Sequence, residues 1–180
     1  MKIWSIAALF VFVFAQNNVS AQNAGFTDVK GVNLVNAGMG LGSYGLYGTG
    51  GLPLTASFEH GFTRNISAGI NVGYIQRKYL YDWKYTYFIF GVRGSYHFNE
   101  MLNIDEPKLD VYGGAGLMYR HYKFKYGSDG ATYDDYKSSG GSVAIDLHAG
   151  GHYMFNDHVG AYAEVGYGIS PLQLGVSFVF

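Results

Sequence analysis

The chain has 180 residues and a formal net charge of −1, and only 14% of it is Asp, Glu, Lys or Arg, against roughly 25% in ordinary soluble domains. That balance excludes the electrostatic footprint of a nucleic-acid binder, and the lack of cysteine excludes both a disulfide framework and a lipid-anchored lipoprotein cleavage site. The excess lies in 27 glycines and 17 tyrosines, with 3 prolines, a composition that points to many strands in an apolar setting.

The first element in chain order reads as a signal peptide over residues 1–21. Lys2 supplies a positive start, residues 3–15 are apolar, and Val19-Ser20-Ala21 is a small-residue cleavage site ahead of Gln22. The apolar run falls short of the about 20 residues that a membrane-spanning helix requires. Residues 22–180 then form one domain that leaves the cytoplasm.

In that domain the recurring pattern is alternation with period two. Ile66, Ala68, Ile70, Val72 and Tyr74 share one face, and Ser67, Gly69, Asn71 and Gly73 the other. The same reading predicts eight strands over 31–42, 52–62, 66–79, 85–98, 109–125, 142–155, 159–168 and 172–180. Tight turns at 63–65 and 156–158 mark one end. Longer links at 44–51, 80–84 and 127–141 mark the other, while the 99–108 link is long for the tight-turn end.

The faces decide which solvent surrounds the strands. Phe88, Phe90, Val92, Tyr96 and Phe98 lie on one face of the fourth strand, and Val143, Ile145, Leu147, Ala149, Tyr153 and Phe155 on one face of the sixth. The opposite faces carry Gly, Ser and Asn with Glu59, Arg93, Asp146, His148, His152 and Glu164. Such residues make a poor dry core but suit a narrow lumen, so the apolar face meets lipid. Nine residues at about 3.3 Å each, tilted by about 40°, rise roughly 23 Å, close to an outer-membrane apolar band of about 25 Å. Phe62, Phe98, Phe155 and Phe180 at one end and Tyr79, Tyr81, Trp83, Tyr85 and Tyr119 at the other are placed as interfacial girdles.

Together these features resemble the small eight-stranded outer-membrane β-barrels of the OmpA/OmpX-like group, over essentially all of residues 22–180. The cleavage boundary and the many Gly and Tyr residues are similar to Bacteroidota versions. The resemblance implies an all-β, antiparallel, up-and-down transmembrane barrel in the outer membrane of a Gram-negative envelope, with no cofactor. It also implies that the final strand, with Phe178 and Phe180, is the signal read by the barrel-assembly machinery.

The candidate site residues are luminal charges: Arg120 placed opposite Asp146 on the fifth and sixth strands, Glu59 meeting Arg93 across the small residues Gly69 and Asn71, and Glu164. Leaving such a charge unpaired costs several kcal/mol, so they read first as a structural plug, second as a gated ion path. His148 and His152 sit roughly 13 Å apart along one strand, too far for one metal. His97, after Ser95-Tyr96, invites comparison with lipid-A-modifying barrels but shows no acid beside it in sequence. Asp129, Asp134 and Asp135 do not fit a calcium-loop spacing, whereas Lys123, Lys125 and Lys137 suit lipopolysaccharide phosphates. The expected role is non-enzymatic: envelope integrity or adhesion through the loops, in contact with outer-membrane lipid and lipopolysaccharide. A narrow pore and a lipid-A-modifying enzyme are the alternatives.

Overall fold

The computed structural model describes residues 26, 28–43, 45–79, 83–125 and 137–180. The expected signal peptide, the center of the 127–141 loop with its three aspartates, and Tyr81 lie outside these residues. The period-two alternation appears as eight strands: β1 (Asn33–Leu41), β2 (Leu54–Gly61), β3 (Ile66–Tyr79), β4 (Trp83–His97), β5 (Leu109–Lys125), β6 (Lys137–Met154), β7 (Val159–Tyr167) and β8 (Leu172–Val179). Each pairs antiparallel with the next, and β1 pairs with β8, so the sheet closes on itself. Val35 stands opposite Phe178 and Met39 opposite Leu174 along that seam. On the luminal side of the seam Ser177 donates a hydrogen bond to Asn36.

The faces sort as the alternation requires. Ile70, Val72, Phe88, Phe90, Val92, Leu117, Val143 and Val176 point outward and are exposed. The residues that alternate with them along the strands, such as Asn71, Arg93, Asp146 and Ser177, face the lumen and are buried. Phe62, Phe155 and Phe180 are exposed on the outer surface at the tight-turn end. Tyr85 departs from its expected place in the outer girdle. It shares the parity of luminal Ile89 and Arg93 on β4, stacks on Tyr87 at 6.0 Å, and lines the inside of the barrel mouth.

Strand lengths are uneven. β1, β2, β7 and β8 have 8 or 9 residues, whereas β3 to β6 have 14 to 18. By the same rise and tilt, 17 residues climb roughly 43 Å, so one side of the barrel stands above the apolar band as a wall. β6 begins at Lys137 rather than near Ser142, because Ser138 to Gly141 pair with Phe124 to His121, and a backbone ladder requires no apolar side chain.

The tight-turn end is closed twice. Asn156 Oδ1 accepts the backbone N–H groups of His158 and Val159 at 2.9 Å each, the self-bonded turn that asparagine favors. The long 99–108 link is tied to β5 by Asn99, whose Nδ2 donates to Leu109 O at 2.6 Å and whose Oδ1 accepts from Val111 N at 2.9 Å. Below the strands, Val29 N donates to Arg64 O and Phe26 N to Pro107 O, drawing the segment before β1 across the opening. Phe26 and Val29 then pack with Leu34, Met154 and Val179 as an apolar floor. Sequence alternation gives no sign of this floor, since the segment is not a strand.

Val92→Arg, on the outer face at mid-strand, is expected to destabilize the barrel in lipid vesicles by about 2–4 kcal/mol. Gln76→Arg, on the outer face of the wall, should cost close to nothing in the same urea titration. Equal costs would place Val92 outside the bilayer.

Candidate functional site

The lumen is where polar side chains converge, and Arg93 is at its center. Hydrogen-bonded register puts Glu59, Gly69, Arg93, Gly116 and Asp146 in one row across β2 to β6. Glycine on both sides of Arg93 follows from close approach: a Cβ on Gly69 would collide with the backbone of Phe58 and Glu59, and one on Gly116 with that of Val92. The guanidinium reaches two carboxylates. Nη2 donates to Glu164 Oε2 at 2.6 Å, and Nε forms an ion pair with Glu59 Oε1 at 3.0 Å, off the hydrogen-bonding direction. Glu164 also accepts from Tyr112 Oη at 3.0 Å and Gln173 Nε2 at 2.9 Å. With all three charged side chains 6% exposed or less, the desolvation cost is large and the geometry must offset it.

Toward the floor, Asp110 accepts from both His97 Nδ1 and His152 Nδ1 at 2.9 Å. The His152 ring is sandwiched between Phe26 at 5.4 Å and Tyr112 at 4.6 Å. His97 therefore does have an acid beside it, which the sequence hid because Asp110 arrives from the next strand. Its Nε2 lies 3.0 Å from Ser67 Oγ, so Ser67, His97 and Asp110 are connected in the order of a hydrolytic triad. Ser67 Oγ also lies 2.7 Å from Glu59 Oε2, so the carboxylate and the imidazole compete for its one hydroxyl hydrogen, an arrangement that a nucleophilic serine does not have. Ser67 and Asp110 are also wholly buried.

Arg120 and Asp146 are not brought together. Arg120 stands opposite Ser142, and Asp146 opposite Gly116, a displacement of four residues that follows from the earlier start of β6. Asp146 instead accepts from Asn71 Nδ2 at 3.2 Å and lies 3.4 Å from His148 Nδ1, while His148 Nε2 meets Ser95 Oγ at 3.0 Å. Beyond them Ile89, Met118 and Ile169 form an apolar cluster inside the lumen, with Ala144 against it. The sequence reading assigned apolar residues to lipid, and it missed this plug because Ile89 and Met118 are the inward members of runs that are apolar on both faces. Beside Arg93 and Glu164 the remaining void is about 10 Å³, space for one water at most. Among the described residues, no group of three or more metal-ligating side chains is arranged to hold a metal ion.

No family model matches the chain, and no curated protein does. Solved structures do. The N-terminal β-barrel domain of Pseudomonas aeruginosa OprF aligns with a TM-score of 0.50 at 17% identity, over 84% of this chain and 98% of that one. Neisserial surface protein A aligns with a TM-score of 0.52 at 15% identity, over 83% of this chain and 96% of that one. The fold is that of a small eight-stranded outer-membrane β-barrel. In such a barrel the interior is only wide enough to be filled by side chains, and here ion pairs and an apolar cluster fill it in succession.

Arg93→Met is expected to lower the stability of this barrel by about 3–5 kcal/mol, because two buried carboxylates lose their counter-charge. Adding Glu59→Gln and Glu164→Gln should recover most of the loss. Urea titration of the folded barrel in detergent checks both, and a triple variant no better than the single one would show that the charges are not coupled.

Proposed function

We propose that the chain is an integral outer-membrane protein of a Gram-negative envelope, with a structural or surface-interaction role and a lumen that does not conduct. The observation that carries this reading is the contrast between a filled interior and a tall wall. The ion-paired and apolar layers leave a void of about 10 Å³ beside Arg93, which supports a lumen closed to ions. The wall of β3 to β6 rises past the apolar band, where only water and other molecules can contact it. Loops and strand ends on a rigid scaffold are where recognition residues concentrate. Outer-membrane lipid meets the outward apolar band, lipopolysaccharide phosphates meet Lys123 and its neighbors, and Phe178 and Phe180 on β8 serve as the assembly signal. The complete burial of Ser67 and Asp110 supports a non-enzymatic role.

Fractionation should recover the protein in the outer membrane, with gel mobility that changes on heating. In planar bilayers the purified barrel is expected to give no steady conductance step, and a reproducible one would replace the plug with a pore. The lipid A mass spectrum of a deletion strain should match wild type, since a missing or added acyl chain would point to catalysis.

A further inference from the structure

Arg120 is a buried luminal arginine with no carboxylate at its guanidinium among the described residues. It is 9% exposed, its Nη2 donates to Gly168 O at 2.8 Å, and its guanidinium lies 5.9 Å from the center of the Tyr167 ring. Its Nε is buried without a hydrogen-bond partner. Arg77, the other arginine at the mouth, also has no carboxylate among the described residues: it donates to the carbonyls of Leu46 and Gly48, and so fixes the 45–49 segment over the opening. Arg93, by contrast, has two acids. A buried charge left without an opposite one is costly, and the space beside Arg120 is not filled. A cavity of about 190 Å³ opens there, walled by Tyr47, Tyr85, Tyr87 and Tyr122, with Arg120 and Ser142. None of its described lining residues is acidic.

We propose that this tyrosine-walled cavity is a binding site for a small acidic sugar, a single pyranose ring bearing a carboxylate. Each part of the site suits one part of that ligand. The guanidinium supplies planar donors that match the two oxygens and single charge of a carboxylate. The volume lies below the roughly 300–1,000 Å³ of drug-sized sites, which sets the occupant at one ring. Aromatic faces pack against the C–H face of a pyranose, and tyrosine and serine hydroxyls serve its hydroxyl groups. A bare inorganic anion would satisfy Arg120 and make no use of the tyrosine wall. Tyr47 is 72% exposed and Tyr87 Oη accepts from Tyr47 N at 3.0 Å, so the outermost wall is anchored at its backbone while its ring faces the entrance. The proposal depends on the outer-membrane reading only for the side of the membrane that the site faces.

The test is calorimetric titration of the full barrel, folded in detergent, with glucuronate, glucose and acetate. Glucuronate is expected to bind saturably, with glucose and acetate at least about tenfold weaker, the factor that one charge-assisted hydrogen bond contributes. Arg120→Gln should weaken glucuronate by a similar factor while heat-modifiable mobility persists. If that variant does not fold, Tyr47→Ala, at an exposed position, should weaken binding several-fold instead. Methyl glucuronide distinguishes the source: affinity equal to glucuronate assigns the site to the terminal residue of a glycan, and much weaker binding assigns it to the free acid. Absence of saturable glucuronate binding overturns the proposal, as does glucose binding equally well or a folded Arg120→Gln or Tyr47→Ala that binds like wild type. Such a failure leaves the plugged-barrel reading intact, because fractionation and conductance test that separately.

Discussion

A guanidinium held between two carboxylates, inside a ring of eight strands too narrow for bulk water, constrains everything around it. Arg93 reaches Glu164 at 2.6 Å and Glu59 at 3.0 Å. For those side chains to meet, the neighboring strands must present nothing at the same level, and Gly69 and Gly116 stand there in register. For the carboxylates to be held, their remaining lone pairs require donors, which Ser67, Tyr112 and Gln173 provide. Each donor is in turn oriented by the next group, Ser67 by His97 and Tyr112 by the ring of His152. Ion pairing at the center thus propagates to the floor through contiguous hydrogen bonds and stacked rings. Pairwise worth is hard to isolate in such a network, since its members polarize one another.

The lumen changes character along its axis for a related reason. At the floor, apolar side chains close the barrel where the segment before β1 crosses it. In the middle, charge is neutralized by charge. Above Asp146 and His148, the Ile89, Met118 and Ile169 cluster separates the ion-paired layer from the mouth. Arg120 stands opposite Ile89 of that cluster, four residues along β5 from the Gly116–Asp146 pair. Its isolation is a consequence of layering, and it gives the mouth a chemistry distinct from that of the plug.

How much of this could be read from the residues depends on distance along the chain. β3 and β5 have the bounds the alternation predicts, 66–79 and 109–125, because the alternation runs through most of their length and breaks only briefly, as at Tyr74-Ile75 and Leu117-Met118. β6 was read five residues short, since Ser138-Ser139-Gly140-Gly141 has the composition of a loop and is paired only by its backbone. That error moved the predicted partner of Arg120 to Asp146, as register carries every pairing along with it. The acid beside His97 was invisible for another reason: Asp110 is 13 residues away, on an adjacent strand, and only pairing of β4 with β5 makes them neighbors.

The sequence by itself determined the strands, their two faces and the closed antiparallel barrel, because side-chain alternation is a local property and an apolar outer face admits few architectures. It also marked Glu59, Arg93 and Glu164 as luminal, since parity along each strand is local too. Which charges meet was decided only by the tertiary structure. Register, barrel closure and the path of the segment before β1 set those distances, and each depends on residues far apart in the chain. The same is true of the mouth: tyrosines of β4 and β5 and the 45–49 segment become one wall around Arg120 only when the sheet closes.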